Sequence, residues 1–205
     1  MIFSIVVLVL SATFHEYMHG WMADQLGDHT ARDAGRLTIN PLAHLDLFGS
    51  VFLPLILVIS GTPFVFGYAK PVPFNPYNLK DAKWGPAKVA AAGPLANLLL
   101  ALCFGLLLRF APLDTQMTMF AGYIVLINLV LMVFNLVPIP PLDGSKIIMP
   151  LLPYRWQEKF LRMEMYGMML VIIFIMLGME IVWYAVIWMF QLIAGTEVLF
   201  KFFGM

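Results

Sequence analysis

The chain has 205 residues, of which 61% are hydrophobic and only 12% are charged. A soluble domain has about a quarter of its residues charged, so this composition excludes an ordinary soluble fold and favours a membrane protein. The formal net charge of zero gives no sign of a nucleic-acid partner, and the single cysteine, Cys103, excludes an internal disulfide.

Five apolar stretches follow one another along the chain, whose length suits about four to six membrane segments of ~20 residues each. They cover residues 2–23, 47–66, 87–110, 117–137 and 165–194. We therefore predict an all-α membrane protein, a polytopic helix bundle that forms a single domain over residues 1–205. Polar Glu180 interrupts the last stretch, and the sequence leaves open whether that stretch forms one helix or two.

The first stretch carries the motif H-E-Y-M-H, which begins at His15 and ends at His19. On a helix, this spacing places two imidazoles one turn apart on the same face, where both can bind one Zn²⁺. Glu16 lies beside that metal and can act as general base toward a bound water. The alternative is two histidines satisfied by polar neighbours, but ionisable groups at membrane depth are costly and usually functional. A stretch with this motif and no basic region before it is not expected to be a cleaved signal peptide.

The second stretch, residues 47–66, is short and contains Pro54. It ends in the turn-forming sequence S-G-T-P, which is untypical of a spanning helix. We predict a re-entrant or irregular segment after the first helix, which is tolerated at membrane depth only where protein or a water-filled cavity covers it.

A third metal ligand is expected after the fourth stretch, in the sequence N-L-V-P-I-P-P-L-D-G that ends with Asp143 and Gly144. The prolines stop the helix and leave an unwound end from which the Asp143 carboxylate can turn into the bundle. Two histidines and one carboxylate leave one zinc position open for water, as catalysis requires. The alternative for Asp143 is a solvent-exposed turn residue.

A shared metal constrains the topology, because the ends of the first and fourth stretches must then lie on the same side of the membrane. One of the three stretches 47–66, 87–110 and 117–137 therefore does not cross, and the first of these is the best candidate. The three loops rich in Lys and Arg then share one side, with Arg109 alone on the other. The positive-inside rule places that site toward the cytoplasm of a cell membrane, with Met1 outside. A topology in which every stretch crosses is excluded only by the shared metal.

Three further polar residues are candidates for a role in the site. Asn97 lies on a face of small and polar residues that recurs every four positions from Gly93 to Gly105. It can support close helix packing or donate to a scissile carbonyl. The same catalytic role is open for Asn135, at the edge of the fourth stretch. His44, in N-P-L-A-H-L-D, is a partner behind the metal ligands, a lid residue or an ordinary loop histidine.

Together these residues resemble the site-2 protease family of intramembrane zinc metalloproteases, peptidase family M50. The resemblance rests on H-E-Y-M-H at 15–19, G-P-L-A-N at 93–97 and N-L-V-P-I-P-P-L-D-G at 135–144. G-R-L-T-I-N-P-L-A-H-L-D at 35–46 and A-K-P-V-P-F-N-P at 69–76 are similar to the compact bacterial and archaeal branch. From this sequence we expect no PDZ module, no CBS module and no extra helix before the first motif.

The resemblance implies one Zn²⁺ per chain, held by His15, His19 and Asp143, with Glu16 catalytic. It also implies that the substrates are transmembrane helices of other proteins, cleaved within or near the bilayer. The proline-rich residues 67–76 are a candidate edge for pairing with an unwound substrate. The competing hypotheses are a metal transporter and a catalytically inactive scaffold that binds client helices. The oligomeric state is left open by the sequence.

Overall fold

A computed structural model describes residues 2–46, 49, 52, 55–56, 59 and 70–203. Within these residues the regular structure is entirely helical, with no β-strand. The α-helices are α1 (Ile2–Gln25), α2 (Thr30–Asp33), α3 (Gly85–Phe110), α4 (Thr115–Asn135), α5 (Asp143–Ile148), α6 (Tyr154–Met163), α7 (Gly167–Ala194) and α8 (Thr196–Phe203). The predicted irregular segment at 47–66 lies mostly outside the described residues.

Four helical runs in the described part of the chain are long and apolar enough to cross a membrane, namely α1, α3, α4 and Tyr154–Ala194. The predicted all-α polytopic bundle is thereby confirmed. In the last run, α7 is one continuous helix of 28 residues that passes through Glu180 without a break. The question that the sequence left open is answered in favour of a single helix.

The helix boundaries follow from local chemistry. The side chain of Asp114 caps α4 by accepting a hydrogen bond from the backbone N–H of Met117 at 2.7 Å, which satisfies one of the unpaired donors of the first turn. Pro86 lies in the first turn of α3, where its missing N–H costs nothing. Helix α4 ends at Asn135, before the prolines that cannot continue it.

Helix α3 packs against α1, α4, α5 and α7 and so lies at the centre of the described bundle. Its small residues permit this close packing. A Cβ placed on Gly105, for example, would collide with Ile193 of α7. The apolar core between α4 and α7 includes Leu129 and Phe190, both fully buried.

The end of α1 and the start of α3 lie side by side. Lys80 donates its backbone N–H to the carbonyl of Leu26 at 3.0 Å, and Ala23 packs with Leu79 and Val89 in a small apolar cluster. The chain reverses direction in the short connection between α3 and α4. Helix α4 therefore ends on the side of the bundle where α1 ends. Consequently the segment that follows α4 can reach the H-E-Y-M-H motif.

Candidate metal centre

Three potential ligands converge at one point between α1 and α5. The Nε2 atoms of His15 and His19 lie 3.0 Å apart. Oδ2 of Asp143 lies 3.1 Å from Nε2 of His15 and 3.2 Å from Nε2 of His19. Among the described residues this is the one group of three that could hold a metal ion. The sequence separates Asp143 from His15 by 128 positions, and the fold brings them into contact.

The protonation of both imidazoles follows from their partners on the opposite side of each ring. Nδ1 of His19 lies 2.7 Å from the backbone carbonyl of Val89. A carbonyl only accepts hydrogen bonds, so Nδ1 carries the proton and Nε2 presents a lone pair. His15 is held in the same way, since its Nδ1 lies 2.5 Å from Oδ1 of Asn97. Such partners fix the tautomer of metal-ligating histidines.

The centre is therefore a triangle of three acceptor atoms, which needs a shared proton or a cation between them. As a metal ligand, the Asp143 carboxylate must be ionised. Ligands about 2.0–2.2 Å from one tetrahedral Zn²⁺ are separated by distances close to those observed. This donor set fits zinc.

Gly93 leaves the space beside the two histidines open. A Cβ at this position would lie 2.6 Å from Nε2 of His15 and would also collide with Nε2 of His19. The backbone of α3 thus forms one wall of the centre, and any larger residue would fill it. The first residue of the G-P-L-A-N motif is explained by this close approach.

Glu16 is held beside the centre by an extended segment that crosses α1. Its Oε2 accepts a hydrogen bond from the backbone N–H of Val72 at 3.0 Å. Val72 is buried, and its Cγ1 lies 2.7 Å from where a Cβ on Gly20 would be. The absence of a side chain at Gly20, one turn after Glu16, allows the segment to lie flat on the helix.

Asp143 reaches the centre because the backbone between α4 and α5 turns sharply. The close approach of Gly144 to the carbonyl of Leu136 leaves no room for a Cβ. Ser145 stabilises the turn by donating its hydroxyl to the carbonyl of Leu142 at 2.7 Å. Asp143 therefore begins α5 with its carboxylate directed at the histidines.

A buried polar chain runs from His15 through three helices. Nδ2 of Asn97 donates to Oδ1 of Asn128 at 2.9 Å, and Nδ2 of Asn128 donates to the hydroxyl of Ser11 at 3.0 Å. Both asparagines are fully buried. The sequence singled out Asn97, whereas Asn128 and Ser11 were missed. The signal available was an amide within an otherwise apolar membrane helix, which requires a polar partner.

The other two candidates lie apart from this group. Asn135 is partly buried and donates its Nδ2 to the carbonyl of Leu131 at 2.9 Å, within its own helix. His44 is buried, and its Nε2 donates to the carbonyl of Thr38 at 2.8 Å. Its own carbonyl accepts from the N–H of Lys70. Within the described residues, neither forms a hydrogen bond with the three converging side chains.

Comparison with known proteins agrees with this geometry. The family profile "Peptidase family M50" matches residues 110–178. YwhC of Bacillus subtilis (strain 168), whose name describes it as a zinc metalloprotease, is 35% identical over 209 residues, which cover 98% of this chain and 90% of YwhC. No solved structure matches the chain significantly.

Two further relatives carry names of the same kind. Rip2 of Mycolicibacterium smegmatis is 30% identical over 80% of this chain and 63% of its own length. MJ0611 of Methanocaldococcus jannaschii is 30% identical over 71% of this chain and 72% of its own length. With the helices and the converging ligands, these similarities identify the chain as a multi-pass membrane member of peptidase family M50, the site-2 protease family of zinc metalloproteases.

Proposed function

We propose that this protein is an intramembrane zinc endopeptidase that hydrolyses peptide bonds in transmembrane segments of other proteins. The observation that carries the proposal is the triangle of acceptor atoms from His15, His19 and Asp143, with Glu16 beside it on a membrane-spanning helix. A binding scaffold does not need a carboxylate at that position. A transport path across the bilayer would need ionisable groups at further depths.

His15, His19 and Asp143 would hold one Zn²⁺ per chain. When bound, the ion would act as a Lewis acid and bring the pKa of a bound water to about 7. Glu16 would take the proton of that water on Oε1, because Oε2 already accepts the Val72 N–H. The same carboxyl group would then deliver the proton to the leaving amine.

Both amide hydrogens of Asn97 are engaged, with Oδ1 of Asn128 and, at 3.5 Å, with the carbonyl of Ser11. We therefore assign Asn97 to holding His15 rather than to binding the substrate carbonyl. Asn135 keeps one amide hydrogen beyond its bond to Leu131. The prediction that it donates to the substrate stays a prediction.

The substrate must unwind before cleavage, because helical hydrogen bonds protect the peptide bond and each unpaired group in lipid costs several kcal/mol. The segment 70–75 is a candidate partner for the unwound strand. Lys70 and Val72 direct their N–H groups into the protein, toward His44 and Glu16. Backbone groups alternate along an extended chain, so Pro71 and Pro73 would offer carbonyls to the N–H groups of a substrate.

The decisive experiment compares wild type with Glu16→Gln and Asp143→Ala, all purified in detergent. We expect about one zinc per chain in wild type and in Glu16→Gln, and much weaker zinc binding in Asp143→Ala. Synthetic transmembrane helices carrying a fluorophore and a quencher should be cleaved by wild type. Glu16→Gln should lose at least 100-fold in turnover, the usual contribution of a general base.

The competing hypotheses give different results in the same experiment. A transporter would keep moving ions across proteoliposomes after Glu16→Gln. A scaffold would bind the helices without cleaving them in either form. Folded wild type that binds no zinc would refute the protease proposal.

A further inference from the structure

We infer that Asn128 is a positioning residue for the metal centre, which it reaches through Asn97. This inference rests on the proposed function, because it concerns the tautomer that His15 must have to bind zinc. Asn128 itself does not touch His15. It lies on α4, one helix removed from Asn97 on α3 and adjacent to Ser11 on α1.

The carbonyl of Ile124, one turn before Asn128 on α4, fixes the orientation of the Asn128 amide. Nδ2 of Asn128 donates to this carbonyl at 2.8 Å. A backbone carbonyl cannot donate, so the amide of Asn128 must present its nitrogen to Ile124. Its second amide hydrogen goes to the hydroxyl of Ser11. Oδ1 of Asn128 consequently faces Asn97 as an acceptor.

The orientation of the Asn128 amide in turn fixes the orientation of the Asn97 amide. To pair with Oδ1 of Asn128, Asn97 must present its Nδ2, which also points at the backbone carbonyl of Ser11. Oδ1 of Asn97 is thereby left for His15, whose Nδ1 must donate. The proton of His15 is held on Nδ1, and Nε2 keeps the lone pair that faces His19 and Asp143.

These hydrogen bonds can fix the tautomer of His15 because the residues that form them are buried. Asn97 and Asn128 have no solvent-accessible surface, and Ser11 is only 4% exposed. Water cannot replace a missing partner there, and an unpaired buried amide costs about 1–3 kcal/mol. Without Asn128, only the longer contact with the carbonyl of Ser11, at 3.5 Å, would keep the nitrogen of Asn97 turned away from His15, and the wrong tautomer would become accessible.

The test measures zinc affinity by competition with a fluorescent chelator in Asn128→Leu and in Leu129→Ala. Leu129 is the next residue on α4 and is fully buried in the apolar core, so its truncation reproduces a packing defect without touching the polar chain. Partners behind a metal ligand are worth 10–100-fold in affinity. Since Asn128 acts one bond further away, we expect about tenfold weaker binding in Asn128→Leu and unchanged binding in Leu129→Ala.

A second readout reports the tautomer directly. Nitrogen NMR of the metal-free protein, labelled with ¹⁵N-histidine, should show His15 with a proton on Nδ1 in wild type. The signal is assigned by its loss in His15→Gln. We expect a mixture of tautomers in Asn128→Leu and the wild-type pattern in Leu129→Ala. A purely structural role would not move this pattern.

A double-mutant cycle tests whether the effect passes through Asn97. Asn128→Leu should cost little further zinc affinity in an Asn97→Ala background. If Asn128→Leu does not fold, Asn128→Ala serves the same purpose, because it removes the amide without introducing a larger side chain.

If wild type binds zinc, the proposed function stands, and three outcomes would overturn the inference about Asn128 alone. They are wild-type affinity and tautomer in the Asn128 variant, an equal loss in Leu129→Ala, and an undiminished effect in the Asn97→Ala background. Wild type that binds no zinc would instead overturn the proposed function, and this inference with it.

Discussion

At the scale of single residues, a substitution at Gly93 tests whether the metal centre needs the open space beside its two histidines. We expect Gly93→Ala to weaken zinc binding by roughly 10- to 100-fold. The added Cβ would press on Nε2 of both His15 and His19. Overpacking of this kind costs ~1–3 kcal/mol, and each 1.4 kcal/mol is tenfold in affinity.

The matched control is Gly105→Ala, on the same helix three turns away. Its Cβ would collide with Ile193 instead, so thermal stability should fall while zinc affinity stays at the wild-type value. Equal loss of zinc in both variants would show that Gly93 matters for packing of α3 and not for space at the centre.

The residues that converge at the centre were predictable from sequence because each carries a local signal. His15, Glu16 and His19 have a helical spacing, and Asp143 follows prolines that must end a helix. The partners that orient them have no such signal. The carbonyl of Val89 is a backbone group, and only the packing of α3 on α1 brings it to His19.

At the scale of elements, the segment 70–78 is bound at two points, to Glu16 of α1 and to Asp28 in the turn that follows α1. Val72→Pro would remove the N–H that Glu16 accepts while keeping the extended backbone that proline favours. We expect zinc binding to persist and kcat to fall about tenfold, because misplacement of a catalytic group lowers the rate of the chemical step. KM should stay the same.

The comparison for Val72→Pro is Val72→Ala, which keeps the N–H and loses only packing against Gly20. Both variants are assayed with the quenched transmembrane helices and for bound zinc. Equal turnover in Val72→Pro and wild type would show that the hydrogen bond does not orient Glu16 during catalysis.

The second point of attachment is Asp28, which is fully buried. It accepts hydrogen bonds from the backbone N–H of Asn75 at 2.6 Å and from the side chain of Asn78 at 2.9 Å. Burial alone would raise the pKa of Asp28, but hydrogen bonds from Thr30, Asn78 and Asn75 lower it below 3.8. The ionised carboxylate therefore stabilises the folded state.

The sign of the resulting pH dependence follows from linkage. A carboxyl group whose pKa is lowered on folding contributes its full stabilisation above the unfolded-state value and loses it as pH falls through the folded-state value. We expect Asp28→Asn to lower the thermal midpoint at pH 7, and the difference from wild type to shrink below about pH 4. Metal-free protein is used, so that zinc release does not contribute. A difference independent of pH would rule out ionised Asp28 as the cause.

The membrane-spanning helices were predicted from sequence where the run of apolar residues was uninterrupted. The sequence could not tell whether residues 165–194 form one helix or two, because Glu180 is exposed on α7 while buried Gly178 and Val182 continue the packed face on either side of it. Only tertiary packing shows that the helix is unbroken. Helix α8 was not predicted, since its eight residues are too few for a stable helix in isolation. In the fold, Phe202 packs this helix against Tyr123 and Phe190.

At the scale of the whole molecule, the charge distribution predicts the orientation in the membrane. Of the twelve Lys and Arg residues, all but Arg109 and Lys201 lie at the end of the bundle where α1 ends and α7 begins. From the positive-inside rule we predict that this end, and with it the metal centre, faces the cytoplasm.

Cysteine labelling in intact cells tests this orientation. Cys103 is replaced by serine, and single cysteines are introduced as Lys83→Cys, before α3, or Gln116→Cys, at the start of α4. A membrane-impermeant maleimide should label the cysteine at position 116 and reach that at position 83 only after the cells are opened. The reverse pattern would place the metal centre on the outer side.

The wide separation of the ligands along the chain also has a consequence for biosynthesis. His15 is made at the start of translation and Asp143 follows 128 residues later. At ~5–20 residues per second, the last ligand leaves the ribosome roughly 6–26 s after the first. During that interval the nascent chain has its H-E-Y-M-H helix but no complete centre. On the proposed function, the protein thus cannot hydrolyse neighbouring nascent chains at the insertion machinery until three of the four apolar helical runs described above, α1, α3 and α4, have been made.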